Sequence, residues 1–195
     1  MFSLRPQFLS NTEIAIAISL TLLVVAVAIY DLRERRIPNR LVFPAVFVGI
    51  ALHLTKGWSG LWLSLGGLAL GFGLLLIPYL AGAMWPGDVK FLAAIGSFVG
   101  PSGILRIFLL TLLCYPVLAF FFVLREGKLG VTWLRFRRLV ALFLGLFIPT
   151  FKNYAALLEA RNNPEIESAT TPFGLAISVG TLIAIYTPLL VIRFR

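Results

Sequence analysis

Apolar residues in this chain fall in long unbroken runs, not at the three-and-four rhythm of an amphipathic surface helix. Six of these runs read as membrane-crossing helices. The first, Glu13 to Tyr30, approaches the ~20 residues that a hydrocarbon core of about 30 Å demands. The second, about Leu41 to Leu54, is short and can be tilted or extended by Asn39 and Arg40. The third, Leu61 to Leu80, carries Gly67 and Gly71 at the spacing that lets two helices approach closely, although glycine is also simply common in membrane helices. The fourth starts near Asp88 and ends at Gly100-Pro101, the fifth runs from Ile104 to Leu124 with Pro116 as a candidate kink, and the last spans Pro172 to Ile192.

Two stretches fall outside this scheme. Leu139 to Phe151 is apolar but bounded by Arg137-Arg138 and Lys152, and its length suits an interfacial or re-entrant piece, so it is read as non-spanning. Asn153 to Thr171 is the extended polar region and is expected in water. The first run resembles a signal peptide in position. Its leading segment holds only Arg5 as a basic residue, the run is long, and no small-residue cleavage site follows, so it is read as a retained helix. With no linker and no repeat, residues 1–195 read as a single domain, all-α and polytopic.

Composition agrees with this pattern: apolar residues make up 59% of the 195 positions and charged residues 13%, against about 25% in soluble domains. Helices satisfy their own backbone groups in hydrocarbon, and the ten-residue alternating segments of a transmembrane barrel are missing. The net charge of +9 would suggest nucleic acid in a soluble protein. Here the basic residues lie between apolar runs and anchor helices against anionic headgroups, so the bilayer is the expected partner and nucleic acid is not.

Those basic residues also orient the chain. Arg33, Arg35, Arg36 and Arg40 follow the first span, and Arg125, Lys128, Arg135, Arg137 and Arg138 follow the fifth. The connection after the second span offers His53 and Lys56. By the positive-inside rule the first, third and fifth connections are cytoplasmic and both termini lie outside, with Arg193 and Arg195 running against the rule.

Few acids lie near the spans. Asp31 directly follows the first apolar run and Asp88 directly precedes the fourth, so both sit at the cytoplasmic face at nearly one depth. Either has a plain structural reading: Asp88 as a helix N-cap, Asp31 as an offset to neighbouring arginines. Carboxylates beside hydrocarbon are costly, however, and two at one depth suggest a site. A facing pair holds one proton between its members; the ionised acid takes a proton from water while the other polarises a carbonyl. With one histidine and one cysteine (Cys114, inside an apolar run), a multi-histidine zinc site or an ordinary Cys-His pair is not expected. His53 reads as an interfacial residue without chemistry.

The residues around both acids resemble a known family. Asp31-Leu32-Arg33-Glu34-Arg35-Arg36-Ile37-Pro38-Asn39 is similar to the first aspartate box of type IV prepilin peptidases, an aspartate followed by basic residues and Ile-Pro-Asn. Gly87-Asp88-Val89-Lys90-Phe91-Leu92-Ala93-Ala94-Ile95-Gly96 resembles the second, the Gly-x-Gly-Asp box with its Val-Lys tail. Thr171-Pro172-Phe173-Gly174-Leu175-Ala176-Ile177 is similar to the Pro-Tyr/Phe-Gly motif that opens the family's last helix. One position departs: Trp85 stands where the box has its first glycine, which puts the local loop shape in question.

The resemblance implies an intramembrane aspartic endopeptidase with Asp31 and Asp88 as the catalytic pair and Gly87 and Lys90 in support, needing no cofactor or metal. It implies cleavage, at the cytoplasmic face of the bacterial inner membrane, of prepilins or pseudopilins whose basic leader precedes a hydrophobic helix. Lys90 biases the pair's charge or anchors the membrane surface, and both readings stand. Pro38 and Asn39 are expected to start the second helix, Pro fixing the backbone and Asn offering a cap. Bifunctional family members carry a cysteine-rich insert between the first spans. The short cysteine-free stretch here implies the peptidase-only form of tight-adherence (Flp) pilus systems, without methyltransferase activity. Two other classes compete. A transporter would carry its acids near the midplane, unlike these at helix ends. A non-catalytic subunit of a pilus or secretion assembly machine differs only in activity.

Overall fold

The computed structural model describes residues 11–80, 84–126 and 173–187, and every regular element among them is helical. The helices are α1 (Asn11–Glu34), α2 (Asn39–Leu54), α3 (Trp58–Leu80), α4 (Pro86–Glu126) and α5 (Phe173–Tyr186). Helices α1 and α3 and the stretch Pro86–Phe122 of α4 are long and apolar enough to cross a membrane, while α2 and α5 are shorter apolar helices. The chain is a polytopic membrane protein. Leu139 to Phe151, the polar stretch Asn153 to Thr171 and the C-terminus lie outside the described residues.

The longest helix is two limbs. At Gly100 the backbone turns to φ 72° and ψ −179°, a conformation open in practice to glycine alone. A straight helix would carry Tyr115 about 40 Å from Asp88 at 1.5 Å per residue. Instead the Tyr115 ring lies 5.0 Å from that of Phe173, whose neighbour Gly174 touches Ile37, which in turn touches Gly87. The second limb therefore returns toward the end from which the first departs. This hairpin matches the expected fourth and fifth spans with a one-residue turn, and Pro116 leaves the helical dihedrals intact.

Successive helices alternate in direction. Asp31, Asn39, Leu80, Asp88 and Phe173 lie toward one end of the bundle; the α2–α3 link and Gly100 lie at the other. The first limb of α4 is the axis: every residue from Phe91 to Gly100 is buried, and α2, α3 and α5 pack around α4. Helix α1 closes the ring against α2 and α5.

Packing of α3 on that axis depends on missing side chains. A Cβ at Gly67 would collide with the Gly96 carbonyl oxygen, and one at Gly96 would collide with that of Gly67. At Gly71 a Cβ would sit 2.6 Å from the Leu92 oxygen. The two backbones thus touch directly, and the Gly67/Gly71 spacing marks a helix contact rather than mere membrane composition. Ser64 Oγ adds a hydrogen bond to the Ser97 carbonyl oxygen at 2.8 Å. By contrast, Gly73 on the same helix faces nothing within 4 Å.

Helix boundaries differ from the expected ones at their polar ends. Helix α2 starts at Asn39, with Pro38 as the extended N-cap residue (φ −73°, ψ 130°) making no side-chain cap bond. Asn39 is thus the first helical residue and not the cap; its Oδ1 accepts from Lys90 Nζ at 3.3 Å. Helix α4 starts at Pro86, two residues before Asp88, as suits a proline whose missing N–H costs nothing at the first helical position. His53 is fully buried near the α2–α3 link, its Nδ1 3.1 Å from the Gly49 carbonyl oxygen and its Nε2 without a hydrogen-bond partner.

Two glycine substitutions separate packing from composition. Gly67→Ala is expected to destabilise by about 1–3 kcal/mol or more through overpacking. Gly73→Ala is expected to be neutral or stabilising by up to about 1 kcal/mol, because alanine removes the entropy cost of glycine. Thermal unfolding of the purified protein in detergent measures both.

Candidate active site

The site forms where helix ends meet. Asp31 sits in the last turn of α1 and Asp88 in the first turn of α4, each only 5% exposed. Their charges are close enough to act on one another. The sequence had placed both acids at one depth; the fold brings them together.

Asp31 is held by the last helix. The Leu175 N–H donates to Asp31 Oδ2 at 2.8 Å, and the Gly174 N–H also serves this carboxylate. These are the third and second residues of α5, whose N–H groups have no acceptor within their own helix. A carboxylate there satisfies the donors and faces the positive end of the helix dipole. Gly174 must lack a side chain for this: a Cβ would sit 2.8 Å from Asp31 Oδ2 and 3.1 Å from its Cγ. The Pro-Phe-Gly box, matched in sequence without a role, supplies this contact.

Asp88 is held by its own helix start. It is the third helical residue; its N–H donates to the Trp85 carbonyl oxygen at 3.2 Å, and the Trp85 N–H serves its carboxylate. This reciprocal arrangement resembles a capping box, with Trp85 and not Asp88 at the N-cap. The indole of Trp85 points outward, 50% exposed. Its φ is not positive, Arg35 being the one non-glycine residue with that property among those described. The position therefore demands no glycine, and the tryptophan leaves the start of α4 intact.

The supporting residues have distinct surroundings. Gly87 packs closely on the link: a Cβ would sit 3.2 Å from the Cβ of Ile37, so a side chain there would press Ile37 aside by a few tenths of an ångström. Lys90 reaches α2, donating to Asn39 Oδ1 and lying 5.7 Å from the centre of the Phe43 ring. Arg35, in the left-handed conformation at φ 51°, ends α1 and places its charge near Asp31. Residues that the sequence reading passed over are Gly174, Leu175 and Ile37. All three lay in matched motifs, but their contacts with one another are evident only once three distant segments are adjacent.

Comparison with known proteins points to one family. The chain is 32% identical over 119 residues to a prepilin leader peptidase/N-methyltransferase of Xanthomonas campestris pv. campestris, covering 57% of this chain and 42% of that protein. The chain thus spans less than half the length of this relative. No solved structure matches it. The profile of the type IV leader peptidase family matches residues 18–148, across α1 to α4 and both buried aspartates, and the chain belongs to that family.

Proposed function

We propose that this protein is a membrane aspartic endopeptidase that removes the leader from type IV prepilins or pseudopilins at the cytoplasmic face. The observation that carries this reading is the pairing of two buried carboxylates from separate helices at one end of the bundle, in a chain of this family. The basic residues Arg33, Arg35, Arg36 and Arg40 gather at that end, as the positive-inside rule asks of a cytoplasmic site.

The chemistry follows from the pair sharing one proton. The ionised member takes a proton from water, and the water oxygen attacks the scissile carbonyl carbon. The protonated member hydrogen-bonds the carbonyl oxygen and stabilises the charge that builds there. Collapse of the tetrahedral intermediate breaks the C–N bond, with a proton delivered to the leaving nitrogen. One proton enters and one leaves the pair in each turnover, so the site resets itself. Gly87 admits the close packing beside Asp88, and Lys90 pins α4 to α2 on that flank.

The same reading gives the form of the enzyme. Only residues 35–38 connect α1 and α2, so this link holds no cysteine-rich insert. This supports the peptidase-only reading, in which the product carries a free, unmethylated amino terminus.

Cleavage of a co-expressed prepilin tests the assignment directly. Asp31→Asn and Asp88→Asn are each expected to lower the rate by about 10²- to 10⁴-fold at equal accumulation in the membrane. Retained cleavage in both variants would remove the aspartates from the mechanism. A wild-type protein that cuts no prepilin would favour the non-catalytic assembly role. Rate against pH is expected to be bell-shaped: the doubly protonated pair at low pH lacks a base, and the doubly ionised pair at high pH lacks an acid.

A further inference from the structure

Ile37 lies between the two halves of the site. It belongs to the link from α1 to α2, is half-buried, and packs against the core while Arg35 and Arg36 beside it are exposed. Two glycines make room for it. A Cβ at Gly87 would sit 3.2 Å from Ile37 Cβ and 3.7 Å from its Cγ1. A Cβ at Gly174 would sit 2.9 Å from Ile37 Cδ1. Gly87 precedes Asp88, and Gly174 is in contact with the carboxylate of Asp31. One side chain therefore touches the backbone on which each acid depends.

We propose that Ile37 is a positioning residue that sets the separation of the two carboxylates, acting as a wedge keyed into notches at Gly87 and Gly174. This rests on the peptidase reading and adds to it a residue that acts through Gly87 and Gly174 and not on the reacting atoms. The side chain suits the task. Branching at Cβ restricts its first torsion, so it fills a fixed shape. Pro38 after it disfavours helical backbone at Ile37 and so holds the link extended. Neither glycine has positive φ, so close packing and not backbone conformation is what each offers at its notch. Reaction geometry is sensitive to such support, since a misplacement of about 1 Å can cost on the order of a hundredfold in rate.

The test measures kcat, KM and the pH profile on a prepilin substrate for wild type, Ile37→Ala and Ile37→Val, with Asp31→Asn and Asp88→Asn alongside. Ile37→Ala is expected to lower kcat on the order of tenfold, with KM within about twofold. Its bell-shaped profile should also narrow: carboxylates held less closely couple more weakly, so their two macroscopic ionisations move together. Ile37→Val keeps the Cβ and a γ carbon against Gly87, loses the Cδ1 at Gly174, and is expected to retain most of the activity. If the alanine variant does not fold, the valine variant is read by the same measures, a smaller fall in kcat with narrowing supporting the wedge.

Wild-type kcat and profile width in Ile37→Ala overturn the proposal, as does a rise in KM alone, which would mark a substrate contact. A lower kcat without narrowing also overturns it. When wild type cleaves and both asparagine variants do not, these results bear on the wedge alone. When wild type is inactive or the asparagine variants still cleave, the peptidase reading fails and the wedge falls with it.

Discussion

A helix that begins inside a membrane protein needs an acceptor for its first N–H groups, and water is scarce there. In this chain the acceptor for α5 is the carboxylate of Asp31, at 2.8 Å from the Leu175 nitrogen. The bond ties the last described helix to the end of the first, across 144 residues of sequence. It fixes where α5 starts and orients the carboxylate, and it draws Phe173 against Tyr115 of the returning limb of α4. Structural and functional readings of Asp31 are thus not rivals. The hydrogen bonds that keep the helix end satisfied also hold the acid in place. Asparagine retains a carbonyl oxygen for the Leu175 N–H while losing the acid–base chemistry, which makes it a more discriminating replacement than alanine.

Glycine acts here in two different ways. At Gly100 the backbone itself requires it, because φ 72° with ψ −179° lets α4 fold back on itself within one residue. At Gly67, Gly71, Gly87, Gly96 and Gly174 the dihedrals are ordinary and the reason is space. Three of these let α3 lie against the axis of the bundle; the other two let Ile37 and Asp31 close on the site. The distinction explains Trp85. The residue opening the aspartate box of α4 supplies backbone groups and turns its side chain outward, so a large ring there obstructs nothing.

Much of this was legible in the sequence because hydrocarbon leaves so few options. Apolar runs from Glu13, Leu41 and Leu61 and the break at Gly100-Pro101 reappear as helices with boundaries moved by only a few residues. The two acids stood out because carboxylates beside apolar runs are costly. Polar ends were harder. Asn39 was expected to cap the second helix, yet it gives its oxygen to Lys90, a residue 51 positions away that no local rule identifies. His53, by its place after an apolar run, looked interfacial, but at four residues beyond Gly49 it shares the face that packs on Ser97 and Phe98. Local pattern reports which residues enter the membrane. Which face each helix turns inward depends on partners the pattern does not name.

The short link between α1 and α2 joins the two halves of the site. Read as a sequence, residues 35–38 mainly mark an absence, since nothing is inserted between the first two helices. In the fold they are a working part. Arg35 in the left-handed conformation stops α1 one turn after Asp31, with its N–H on the Asp31 carbonyl oxygen at 3.1 Å. The chain can then turn back, and Pro38 holds it extended until α2 begins. Between these two constraints Ile37 has little freedom except to enter the gap beside Gly87 and Gly174. A longer link would release that side chain from its fixed entry angle. The short connection thus holds Ile37 beside Gly87 and Gly174, next to the backbone that carries each acid.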